Sequence, residues 1–134
     1  MMATKKLTTF LGQNPYDKSI KWPEWKLQAY CVQELRRLGY MVAGDQNQAK
    51  RGYKAAAVAK ATGMLAGEPD MRVYMPAGVV VFFELKTDKG RLSDAQKILH
   101  DKLRGLGHRV FTVWAQTPGE AFNEVYRLIL GLHG

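Results

Sequence analysis

Apolar and polar positions change their spacing several times along the chain, and each change predicts an element. Residues 24, 28, 31, 35 and 38 follow a 4,3,4,3 spacing, so the apolar stripe of Cys31, Leu35 and Leu38 runs along one side of a helix. Pro23 at a first helical turn opens that helix, which extends to about Leu38, and Gly39 closes it. Tyr40 to Ala43 reads as a short strand, and the polar, glycine-flanked stretch Gly44 to Gly52 as an exposed loop. Tyr53 to Thr62, rich in alanine, predicts a short helix stopped by Gly63. Asp70 to Met75 alternates with period two, Pro76-Ala77-Gly78 turns the chain, and Val79 to Lys86 reads as a strand buried on both faces and paired back as a hairpin. Ser93 with Gln96 forms a capping box ahead of a helix to about Arg104. Arg109 to Trp114 is a strand, and Thr117-Pro118-Gly119-Glu120 starts a last helix to about Leu130. The sum is α/β, a mixed sheet with a β-hairpin, flanked by helices.

Length and composition narrow the class. A chain of 134 residues with 46% apolar and 24% charged positions suits one globular domain, with residues 1 to 19, which lack periodicity, as an N-terminal arm or loosely packed extension. The longest uncharged apolar run, Ala77 to Phe83, is far below the roughly 20 residues of a membrane helix, and no signal-peptide core follows the N-terminal lysines. The expectation is an intracellular, cytoplasmic protein with access to nucleic acid, of viral or bacterial origin. One cysteine, Cys31, excludes an internal disulfide and a multi-cysteine zinc site. Twenty Lys+Arg against twelve Asp+Glu give a net charge of +8, which favours a polyanionic partner. The stretch from Arg36 to Lys60 concentrates it, with Arg36, Arg37, Lys50, Arg51, Lys54 and Lys60 against Asp45 alone.

Chemistry enters through one misplaced acid. Glu84 interrupts the run Val79 to Leu85, where a lone carboxylate would cost several kcal/mol to desolvate. Lys86 leaves the same strand face two residues on, so a simple ion pair is one account. Asp70 and Glu84 stand seven residues either side of Ala77, which makes them cross-strand neighbours, a juxtaposition like charges avoid unless a cation intervenes. Two such carboxylates suit Mg²⁺ or Mn²⁺, although Asp70 could also be a Pro-Asp turn acid. Glu24 and Gln28 extend the inward stripe of the first helix, while Lys26, Glu34, Arg36 and Arg37 fall on a solvated side; Glu24 could equally serve the helix dipole. Gln96 caps Ser93 and could also reach a phosphate or a metal-bound water. His100, His108 and His133 lack metal-ligand spacing and read as surface residues. No nucleotide-binding glycine motif occurs.

Pro69-Asp70 followed by Glu84-Leu85-Lys86 resembles the PD-(D/E)XK nuclease signature. The surroundings sharpen this: Gly63-Met64, Gly67-Glu68-Pro69-Asp70, Pro76-Ala77-Gly78, Gly90-Arg91-Leu92-Ser93 with Gln96, then Gly107 and Val110 to Val113 are similar to the virus-type replication-repair nuclease (VRR-NUC) family over about Glu24 to Trp114. That resemblance implies a restriction-endonuclease-like core and Mg²⁺-dependent hydrolysis of DNA phosphodiesters, with Mn²⁺ able to substitute. It implies Asp70, Glu84 and Glu24 as metal ligands, Lys86 as the catalytic lysine and Gln96 as the family's glutamine. Glu68 departs from the pattern as an extra acid. Lys50, Arg51, Lys54, Lys60, Arg72 and Arg91 are then the expected DNA contacts, and a homodimer acting on four-way junctions the expected assembly. Candidate dimer patches are Phe10, Leu11 and Trp22 in the arm and Phe122, Tyr126 and Ile129 in the last helix, all of which ordinary core packing would also explain. A sequence-recognising restriction-type endonuclease and a non-catalytic basic DNA-binding domain are the alternatives.

Overall fold

A computed structural model describes residues 9–45 and 53–133. Helix α1 spans Glu24–Arg37, strand β1 Met41–Gly44, helix α2 Tyr53–Ala61, strand β2 Met71–Tyr74 and strand β3 Val80–Thr87. Helix α3 (Asp94–Gly105), strand β4 (Arg109–Ala115) and helix α4 (Pro118–His133) follow. The strands form one sheet in the order β1-β2-β3-β4; the first two pairings are antiparallel and the last is parallel, with α3 as its crossover.

The elements arise from the signals their residues carry. Pro23 sits in extended conformation as the N-cap of α1, one position before the first helical residue, and Gly39 at φ 94° ends that helix where a side chain would be strained. Ser93 and Gln96 complete a reciprocal capping box on α3. The hairpin between β2 and β3 turns through Pro76–Gly78, with Ala77 at φ 62°. Its register pairs Met71 with Phe83 and Tyr74 with Val80, so one step further sets Asp70 opposite Glu84, as the counting from Ala77 predicts. Helix α4 continues to His133 rather than stopping near Leu130, because Leu132 still packs against the core.

Strand register assigns the two sheet faces. Residues opposite one another share a face, so Met71 and Val73, Val81, Phe83 and Leu85, and Val113 and Ala115 make one apolar layer. Helices α1 and α4 cover it with Leu27, Cys31, Leu35, Val125 and Ile129. The other face carries Glu84, Lys86, Thr112 and Trp114, and α3 approaches it. Burial on both sides of β3 is confined to Phe83 through Lys86; Phe82 and Val80 are only half-buried.

Two expectations are corrected here. The described part of the N-terminal arm is packed, not loose: Phe10 and Trp22 are buried, Phe10 meets Tyr30 edge-on at 5.3 Å, and the Gly119 amide donates to the Pro15 carbonyl at 2.8 Å. Glu34 is buried rather than on a solvated side, because Arg37 on the next turn donates to it from Nε and Nη2, which satisfies the carboxylate.

Candidate active site

Four side chains converge on the covered end of β3: Asp70 from the segment before β2, Glu84 and Lys86 from β3 itself, and Gln96 from α3. Asp70 is buried just before β2 and its Oδ2 accepts from the Leu85 amide at 2.9 Å, tying the start of one hairpin arm to the end of the other. Glu84 is fully buried, and its Oε2 accepts from Gln96 Nε2 at 3.0 Å. Lys86, also buried, holds its ammonium 3.7 Å from the same Oε2. Gln96 therefore performs both duties that its position allows: Oε1 accepts from the Ser93 amide at 2.8 Å, closing the cap, while the amide nitrogen orients Glu84. One rigid helix start thus aims the central acid.

Electrostatics at this point are unbalanced. Burial first, then the neighbouring Asp70 charge and a hydrogen bond shared with it, push Glu84 up to about 9, whereas Lys86 pulls it back. Asp70 is raised as well, chiefly by burial, with the Leu85 amide and Glu84 working against that. Both carboxyls are thus biased toward holding a proton, and Glu84 Oε1 is buried with no hydrogen-bond donor among the described residues. Two converging carboxylates with an undonated oxygen form a donor set that a hard divalent cation fits, since it would replace the proton and satisfy both groups. Among the described residues no three His, Cys, Asp or Glu side chains are gathered to hold a metal. Asp70 and Glu84 are the two carboxylates brought into contact here. Glu24 reaches in from the first turn of α1 and stands beside Lys86: its Oε1 lies 2.9 Å, and Lys86 Cβ 3.3 Å, from the point where a side chain on Gly90 would begin. The missing side chain at Gly90 thus leaves a space flanked by Glu24 Oε1 and the Lys86 stem.

His100 is a neighbour of the acid pair that its sequence context conceals. It is fully buried, contrary to the surface reading, with Nε2 3.1 Å from the Gly67 carbonyl and 3.7 Å from Glu84 Oε1. Burial lowers its pKa while the hydrogen bond to Gly67 works against that, and because a carbonyl can only accept, Nε2 is the donor in that contact. The signal available was helical spacing, because His100 shares the side of α3 that carries Gln96. Gly67 itself approaches α3 so closely that a β-carbon would collide with the Ala95 carbonyl and come within 2.8 Å of the Gln96 amide nitrogen, and its φ is 90°. Gly67→Ala is expected to cost roughly 2–4 kcal/mol through strain and collision with backbone that cannot yield. Urea unfolding would check it; a midpoint within error of the parent chain would show that the loop can retreat from α3.

The expected DNA-contacting cations divide. Lys50 and Arg51 lie outside the described residues. Lys54 and Lys60 are exposed on α2, and Arg91 is exposed in the turn before α3. Arg72 is engaged: Nη1 pairs with Asp45 at 2.9 Å and Nε donates to the Tyr74 hydroxyl at 3.0 Å. Glu68 has Asp45 and Arg72 as its charged neighbours, and burial raises its pKa. Gln28 joins α1 to the start of β2 by donating to the Asp70 carbonyl at 3.2 Å, a role its inward position foreshadows. His108 and His133 are exposed, as expected.

No protein-family model matches the sequence, and no curated protein is significantly similar to it. A solved structure described as a VRR_NUC domain superposes with a TM-score of 0.52 and 25% identity, over 79% of this chain and 92% of that one. No helix among the described residues is long and apolar enough to cross a membrane. With the hairpin register bringing Asp70 to Glu84, Lys86 beside them and Gln96 capping the helix that follows, the chain has the mixed α/β fold of a VRR-NUC domain, as its motifs suggest.

Proposed function

We propose that this chain is a metal-dependent endodeoxyribonuclease that hydrolyses phosphodiester bonds. The observation that carries the reading is the buried Asp70–Glu84 acid pair with the Lys86 ammonium 3.7 Å away, within a VRR-NUC fold. Asp70 and Glu84 would hold Mg²⁺ or Mn²⁺, which when bound polarises a phosphate and acidifies a water. Lys86, anchored by Glu84, offsets negative charge that develops on the phosphate. Glu24, beside Lys86, is suited to accept a hydrogen bond from a water and fix its approach. Gln96 keeps Glu84 from rotating, and His100 holds the Gly67 loop against the same acid. Lys54, Lys60 and Arg91 are exposed cations available to DNA phosphates.

The finer reading is a structure-selective enzyme that acts on branched DNA, with a four-way junction as substrate. One chain has one such site, and symmetric paired incisions need two, so the working form is a homodimer. Phe10, Trp22 and Ile129 are buried in the core and Phe122 and Tyr126 pack against it, so the dimer patch would draw instead on Leu11, Tyr16 and Leu130, which are exposed in those segments. Incubation with linear, flapped, nicked and four-way-junction DNA in Mg²⁺, Mn²⁺ or chelator tests both levels. Metal-dependent paired nicks in the junction by a species that scatters light as a dimer are expected. Cleavage of no substrate with either metal would overturn the nuclease reading, and a monomer cutting only flaps would overturn the junction reading.

A further inference from the structure

We propose that Trp114 is a stacking platform for an unpaired base of the nucleic-acid strand held at Lys86. Strand β4 lies at the edge of the sheet, and its register sets Trp114 opposite Lys86 and Thr112 opposite Glu84. Trp114 therefore leaves the sheet on the same face as the acid pair, one strand away, a lateral step of about 4.8 Å. Trp114 is 51% exposed. The Nε1 proton is donated to the Gly90 carbonyl at 2.9 Å, and Gly90 is flanked by Glu24 Oε1 and the Lys86 stem. A large aromatic left in solvent with its only polar group satisfied by backbone has a fixed plane and a free apolar face. Such a face binds a planar base with little further loss of rotamer freedom.

Charge on the chain that adjoins Gly90, the carbonyl partner of Trp114, specifies the occupant. A cleft of about 450 Å³ at the C-terminal ends of β3 and β4 is lined by Lys18, Lys21 and Lys89, against Asp88. Lys18 is in part committed to Glu120 at 3.4 Å, so Lys21 and Lys89 carry most of its positive field. Lys89 adjoins Gly90, the carbonyl partner of Trp114. Cations that follow the phosphates, together with an aromatic ring that takes a base, are the combination that binds single strands without reading sequence. A base inside a duplex has both faces covered, so the platform favours a frayed, flapped or branch-point nucleotide. The inference depends on the nuclease reading only for what is held at Lys86.

Binding in chelator separates the two ideas, because no cleavage is involved. Affinity for a single-stranded oligonucleotide and for a blunt duplex of equal length would be measured for the parent chain, Trp114→Ala and Trp114→Phe. Trp114→Ala is expected to weaken single-strand binding by about 5- to 150-fold, the range for loss of one base stack, with duplex affinity changed less than about twofold; Trp114→Phe should recover most of the loss. In a Trp25→Phe chain, where Trp114 and the buried Trp22 are the remaining indoles, single-stranded DNA should quench tryptophan fluorescence. That arm decides the matter even if Trp114→Ala does not fold. Equal losses on both DNAs, no loss on either, or absence of quenching would overturn the platform. Intact stacking in a chain that never cuts DNA would instead overturn the nuclease reading alone.

Discussion

Glu84→Gln is expected to abolish metal-dependent cleavage, by at least about 10²-fold, while making the metal-free protein more stable. Both effects come from the same burial. Glu84 is held away from water beside Asp70, and its folded-state pKa lies well above the unfolded value. A group raised in this way contributes stability that is fully present below its unfolded pKa and is lost as pH rises toward the folded pKa. The parent chain should therefore lose stability steadily from about pH 4.5 to about pH 9. Glutamine has the shape of the protonated acid: its amide can donate to Asp70 while its carbonyl accepts from Gln96. It cannot ionise, so that loss disappears. Melting curves in chelator at pH 5, 7 and 9 should give a variant-minus-parent difference that is near zero at the lowest pH and grows upward, passing about 1 kcal/mol by neutrality, or a few degrees in Tm. A difference that shrinks with pH would show that Glu84 is ionised and well solvated. Retained cleavage in the folded variant would remove it from the site.

Some of this arrangement is legible in the sequence because strand chemistry is local. Residues equidistant from a short turn must face each other, so Asp70 and Glu84 can be paired by counting from Ala77, and the register bears that out. The helices are legible for a similar reason, since Gly39, the Ser93/Gln96 box and Thr117 carry boundary signals in a few residues. What covers each face is a different matter. Periodicity shows that Phe10 and Trp22 are apolar but not that α1 and α4 receive them, so the arm looked loose. Glu34 looked solvated because a helical wheel cannot show that a turn of neighbours encloses it while Arg37 neutralises it. His100 was misread because its partner, the Gly67 carbonyl, is 33 residues away, and only the absence of a β-carbon at Gly67 allows the approach. Trp114 looked like an ordinary strand residue for the same reason: its significance lies in a parallel register that a crossover helix creates.

Lys86→Ala should produce the second large loss, about 10²- to 10⁴-fold in the rate of a single turnover at saturating Mg²⁺, with the fold retained. Lys86 is the cation that counters the acids of the site: its charge lowers the pKa of both Asp70 and Glu84. Removing it subtracts positive charge where a phosphate would gain negative charge, and it also strengthens the hold of the acid pair on its proton. Since a divalent ion must displace that proton, metal affinity in Lys86→Ala should reach its half-maximum at a higher pH than in the parent chain. Lys86→Arg should restore only part of the rate, because a planar guanidinium cannot reproduce a compact ammonium in a buried position 3.7 Å from Glu84. Calorimetric Mn²⁺ titrations between pH 6 and pH 9, set beside single-turnover rates, separate the two consequences. An upward shift in the binding midpoint with an unchanged cleavage rate would make Lys86 a regulator of metal loading alone. No shift with a large rate loss would confine it to the phosphate. The shared position of Glu84, Lys86 and Glu24 predicts that both change together.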